Sequence, residues 1–115
     1  MSDTKVLTIS AEDLVTAWQE KLSTLLKSSD ECTVQADAKF PDTLLIHIEN
    51  AGRTHYSFDF RCKYVDDREV HVEFIDVEKD QQSTDEQSDI IQSLAKDYVK
   101  HIHECAQHLK ELTQR

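Results

Sequence analysis

His101, Cys105 and His108 stand at i, i+4 and i+7 in the chain. On a helix that spacing puts all three side chains on one face. Imidazole nitrogens and a thiolate sulfur make a ligand set for Zn²⁺. No fourth ligand and no second His/Cys pair stands nearby in sequence, so these three are metal candidates only, and no cofactor is expected. The same spacing also suits the border between a buried seam and solvent, with Cys105 inside and both imidazoles half in water. His103 falls elsewhere around the helix.

Two further groupings bear on chemistry. Cys62 is flanked by Arg61 and Lys63, and cationic neighbours can lower a thiol pKa. On a strand, however, those neighbours face away from Cys62, which favours a buried structural thiol. His47 and His55 are expected to face each other across a hairpin, close enough to share a metal or to repel when both are protonated. A solvated face tolerating any polar residue is the favoured account of them, since neutral histidines opposite each other cost little at pH 7. No catalytic constellation emerges, and one glycine with one proline leaves little room for phosphate-cradling or catalytic loops.

Charge is the stronger signal. The 115 residues carry 13 basic and 23 acidic side chains, a net charge of −10. Residues 66–89 hold ten acids against Arg68 and Lys79, so most of that excess lies in one stretch. Such a run suits docking of a basic partner, although charge runs also serve only as solubilising surface. The expected docking residues are Asp66, Asp67, Glu69, Glu73, Asp76, Glu78 and Asp80. Nucleic-acid binding through phosphates and attachment to anionic membranes both need a basic footprint, and neither is expected. No apolar run approaches the length of a transmembrane helix. Met1 to Ile9 lacks the pattern of a secretory signal. Three widely spaced cysteines suggest free thiols in a reducing cytoplasm.

The elements that position these residues follow from periodicity. Between Cys32 and Phe74 the apolar residues fall on even numbers: Cys32, Val34, Ala36, Ala38 and Phe40; Leu44, Ile46 and Ile48; Tyr56, Phe58, Phe60, Cys62 and Tyr64; Val70, Val72 and Phe74. The odd positions between them are mostly polar. A period of two describes strands with one dry and one wet face, arranged as an antiparallel sheet. The first strand is expected to end at Pro41-Asp42. A three-residue loop with Gly52 in a bulge would pair Glu49 with Arg53, Ile48 with Thr54, His47 with His55 and Ile46 with Tyr56. Leu45, Ile75 and Val77 are expected among the charges of the wet face, as a small docking patch.

Helices flank this meander. Ser10 reads as an N-cap and Leu14, Val15, Trp18, Leu22, Leu25 and Leu26 form a stripe, giving a helix over about residues 11–27. A second, capped by Ser83 or Thr84, is expected from Asp85 to Thr113, about 40 Å long. Its apolar seam includes Ile91, Ala95, Tyr98, Ile102, Cys105, Leu109 and Leu112 at alternating spacings of four and three. A helix of that length overhangs a four-stranded sheet, and an overhanging apolar seam calls for a partner helix. Tyr98, Ile102, Cys105, Leu109 and Leu112 are therefore the expected homodimer contacts.

The expectation is one α+β domain over residues 1–115, ordered α-β-β-β-β-α, with both helices on the dry face. Residues 1–9 are a mobile lead-in and 78–84 an acidic polar linker. Element order of this kind is shared by several small folds and does not fix a function. The functional expectation is a small cytoplasmic, non-enzymatic protein-interaction module with an adaptor, chaperone-like or inhibitor role, dimerising through its last helix. The alternative is a metal- or small-ligand-binding protein using its His and Cys residues, or a helix–sheet cavity near Trp18, Tyr56, Tyr98 and Cys62.

Overall fold

The computed structural model describes residues 7, 9–26, 30–40, 42–50, 56–66, 69–79, 82–83 and 89–113. Helix α1 (Ala11–Leu25) leads into strands β1 (Asp30–Ala36), β2 (Thr43–Asn50), β3 (Tyr56–Tyr64) and β4 (Val70–Lys79). A two-residue β5 (Gln82–Ser83), helix α2 (Asp89–His108) and a last turn α3 (Lys110–Thr113) follow. The strands form one antiparallel sheet in sequential order. The α+β class and the four-stranded meander are as the alternation predicts. Pairing of Gln82 and Ser83 with the end of β4 lies within the stretch read as a linker.

Local chemistry explains the boundaries. The Ser10 hydroxyl accepts the Asp13 N–H at 3.1 Å, capping α1 as expected. Leu14, Trp18 and Leu22 are the buried stripe of that helix. At the other end, the Asp37 carboxylate accepts the N–H groups of Lys39 and Phe40 at 2.8 and 3.2 Å. These bonds, the Lys39 one first, hold its pKa below the usual carboxylate range. They also bend the chain into a turn before the alternation runs out. Ala38 and Phe40 are therefore exposed rather than dry, with Phe40 46% exposed; Ala36, still paired with Leu44 in β1, is exposed as well. Asp42 completes the turn at φ 58°, a conformation that aspartate tolerates.

The core is the even-numbered face. Ile46, Ile48, Phe58, Phe60 and Cys62 are at most 1% exposed. Phe58 and Tyr98 meet edge to face with ring centroids 5.2 Å apart, and Phe60 lies 5.4 Å from Phe74. The Trp18 indole N–H donates to the Tyr64 hydroxyl at 3.0 Å inside this core, so the polar tip of each ring has a partner. Gln19 on α1 pairs with the backbone of β1, donating to the Cys32 carbonyl at 2.8 Å and accepting from the Val34 N–H at 2.9 Å. It stands in for a neighbouring strand and blunts that sheet edge. Leu7, in the segment expected to be mobile, is 4% exposed and belongs to the core.

Three further expectations are corrected. First, β2 and β3 pair Ile48 with Phe58, Ile46 with Phe60 and His47 with Asp59. The three-residue loop kept the faces matched but would have left Phe60 to Tyr64 opposite the β1–β2 turn. Pairing along the whole of β3 overrides the short loop. Residues 51–55, with Gly52 and His55, lie outside the described residues.

Second, Val77 is dry at 0% exposure. The β3–β4 register shifts between Asp59 and Phe60, so that Phe60 opposes Phe74 whereas Asp59 opposes Asp76. Ile75 is the extra residue of a β-bulge, and a bulge reverses the parity of everything beyond it.

Third, the middle of the α2 seam is covered within its own chain. The helix tightens at Leu109, where the Leu112 N–H reaches the Leu109 carbonyl at 3.0 Å. Tyr98, Ile102 and Cys105 are at most 2% exposed, packed in the core of their own chain. They are not free to form an intermolecular seam. Of the expected dimer contacts, Leu109 is half-buried and Leu112 is exposed. The cap expected at Thr84 lies outside the described residues.

Candidate sheet-face docking surface

With α1 and α2 on the even-numbered face, most described side chains of the other face are exposed or half-buried, although Ser57 and Thr43 are buried at 8% and 3% exposure. Strand register arranges its side chains in rows. The first row across the sheet is Glu31, Glu49, Ser57 and Glu78. The second is Thr33, His47, Asp59 and Asp76, and the third is Gln35, Leu45, Arg61 and Glu73. A fourth holds Thr43, Lys63 and His71. Carboxylates thus crowd the end carrying the first two rows, while Arg61, Lys63 and His71 lie toward the other.

The acidic end has internal order. His47 lies between two carboxylates, with Nδ1 2.7 Å from Asp59 Oδ1 and Nε2 3.4 Å from Glu49 Oε2. Asp76 Oδ1 accepts the Val77 N–H at 2.9 Å. Asp59 and Asp76 are direct cross-strand neighbours, an arrangement of like charges that destabilises a sheet by a few tenths of a kcal/mol, up to about 1. Arg61 is drawn to Glu73 instead, at 3.6 Å. Between these groups runs a groove of about 510 Å³ whose lining includes Leu45, His47, Asp59, Ile75 and Asp76. The bulge supplies Ile75, which is 44% exposed.

Of the docking residues expected from sequence, Glu73, Asp76 and Glu78 share this face. Asp66 and Glu69 sit in the β3–β4 turn, where the Asp66 carboxylate accepts the Glu69 N–H at 2.7 Å. Asp67 and Asp80 lie outside the described residues. Glu31, Glu49 and Asp59 were missed, because they come from other parts of the chain and only register brings them together. Leu45 and Ile75 do lie on the wet face, as expected for a small apolar patch, but Val77 does not.

The other candidates are dispersed. Cys105 is 0% exposed; burial, then nearby Cys32, pushes its thiol up to about 12. His101 is half-buried with Nδ1 3.0 Å from Glu104 Oε1, and His108 is exposed. The three do not converge, and no group of three His, Cys, Asp or Glu among the described residues is placed to hold a metal ion. Cys62 is buried, and burial raises its thiol pKa despite Arg61 and Lys63 beside it in sequence. Trp18, Tyr98 and Cys62, proposed neighbours of a ligand cavity, are at most 2% exposed within the packed core. No helix among the described residues is long and apolar enough to cross a membrane. No family model, curated protein or solved structure matches the chain.

Proposed function

We propose that the uncovered sheet face docks a basic segment of a partner protein, and that the chain acts by binding rather than by catalysis. One observation carries this reading. Glu31, Glu49 and Glu78, with Asp59 and Asp76 behind them, come from all four long strands and gather at one end of a face that no helix among the described residues covers. A rigid sheet holding like charges side by side spends stability on a field, and that field steers and orients a cationic partner. The overall charge of −10 acts in the same direction at longer range. The titratable groups of the helix–sheet core are, by contrast, buried thiols and phenols held in their neutral forms.

Amide chemical-shift mapping with a lysine/arginine-rich octapeptide, and with an acidic octapeptide as control, tests the reading. The basic peptide is expected to move the amides of Glu31, Glu49, Asp59, Asp76 and Glu78, and to lose affinity as salt is raised. Reversing two charges together, Glu49→Lys with Glu78→Lys, is expected to weaken binding about tenfold or more, a change of about 1.4 kcal/mol. Shifts confined to Asp66 and Glu69, or equal binding of both peptides, would overturn the assignment.

A further inference from the structure

Resting on that reading of the open face, we infer that the groove beside the β4 bulge holds one arginine side chain of the partner as its anchor. The groove combines two chemistries that an arginine needs together. Its floor includes Leu45 and the bulged Ile75, an apolar strip on which three methylenes can lie. Its wall carries Asp59 and Asp76, paired directly across β3 and β4. A planar guanidinium presents several donors in a fixed fork and can bond both carboxylates at once. A lysine ammonium brings a single, more strongly hydrated point of charge to the same place.

The site is prepared rather than improvised. The His47 ring fixes one oxygen of Asp59, and the Val77 N–H fixes one oxygen of Asp76. Among the described residues, no lysine or arginine bridges either carboxylate, since Arg61 pairs with Glu73 one row away. An incoming cation therefore relieves the repulsion between Asp59 and Asp76 without displacing an internal partner. A volume of about 510 Å³ lies within the ordinary range of side-chain and small-ligand pockets. The bulge matters most: without the extra residue at 75, the open face would carry Asp76 and Glu73 with no apolar strip between them.

The test uses the intact protein and three basic octapeptides that differ only at a central residue: arginine, lysine or citrulline. Calorimetry is expected to rank them in that order, with arginine about tenfold tighter than its uncharged isostere citrulline. Asp76→Asn is expected to collapse this ratio toward one, while Glu31→Gln, outside the groove, weakens all three peptides alike. The Leu45 and Ile75 methyl signals should move most with the arginine peptide. The melting temperature of Asp76→Asn, which removes a repulsion, should not fall, so a loss of discrimination is not a loss of folding. Equal, salt-sensitive affinities for all three peptides would overturn the arginine anchor and leave the docking face standing. Failure of every peptide to bind would overturn both.

Discussion

On β2, Ile46 is 1% exposed and looks toward the helices, while its neighbours Leu45 and His47 look into water from the opposite side. The two faces of the sheet are built by different rules. The dry face is held by burial, which is non-directional and forgives which apolar residue meets which. The wet face is held by pairing, where a displacement of two residues along one strand replaces every neighbour. Adjacent substitutions should separate the two. Ile46→Glu places a charge in the core with no partner and is expected to destabilise by about 4 kcal/mol or more. Leu45→Glu on the groove floor should cost less than about 1 kcal/mol. Urea unfolding of both variants, with their midpoints compared, checks this. Ile102→Glu should behave like Ile46→Glu, unfolding the chain rather than splitting a dimer into folded halves. A folded, monomeric Ile102→Glu protein would restore the intermolecular seam.

This division explains what could be read from the sequence. Phe58, Phe60, Ile46 and Ile48 were legible because parity alone sends them inward. Parity failed at Ala38 and Phe40, where the Asp37 carboxylate captures two N–H groups and turns the chain. It failed again at Val77, because a single extra residue at Ile75 shifts the β4 register. Nothing about the apolar pattern around Phe74, Ile75 and Val77 says which residue is surplus. The candidate site was less legible still. Reading acids along the chain named Glu73, Asp76 and Glu78, which the register places on the open face, together with Asp66 and Glu69, which sit in the β3–β4 turn. Glu31, Glu49 and Asp59 become neighbours of those residues only once the strands are aligned, and the alignment depended on a β2–β3 loop longer than the turn residues suggested.

The dry face has a second signature, in alkali. Burial first, with Cys32 contributing, raises the Cys105 thiol from its ordinary 9.0 to about 12, and burial raises Tyr98 from 10.0 to about 12. In each case the folded state holds its proton more tightly than the unfolded chain. The stability from these groups is complete below the unfolded pKa and is lost as pH rises toward the folded one. Thermal melts should therefore show a decline beginning near pH 9 and steepening beyond pH 10. Each fully coupled group contributes up to about 1.4 kcal/mol per pH unit within its own window. The buried Cys62 thiol, also raised from 9.0, opens the same window, so Cys105→Ala removes one of two thiol ionisations there. Its decline between pH 9 and 10 should be shallower than that of the parent protein, even though its starting stability is lower. Identical slopes would mean that the thiol ionises equally in both states, and that its surroundings are wetter than their packing implies.

The subtlest comparison sets the two faces against each other at one residue. Deleting Ile75 is, on the dry face, close to a neutral edit. Val77 can still oppose Phe58, Asp76 can still oppose Asp59, and the ladder loses only the irregularity between Asp59 and Phe60. No buried side chain changes sides. The expected change in stability is therefore small, within about 1 kcal/mol of the parent in either direction, although deletions inside strands ordinarily unfold small domains by reversing all later side chains. On the wet face the same deletion removes the exposed half of the groove floor and flattens the local twist that bulges impose. A deletion variant that melts like the parent would locate the surplus residue at 75 and show that its place is kept for the open face. A variant that fails to fold would show instead that the bulge is needed to aim Val77 at Phe58, and would move Ile75 from the surface that meets partners to the packing that sustains the core.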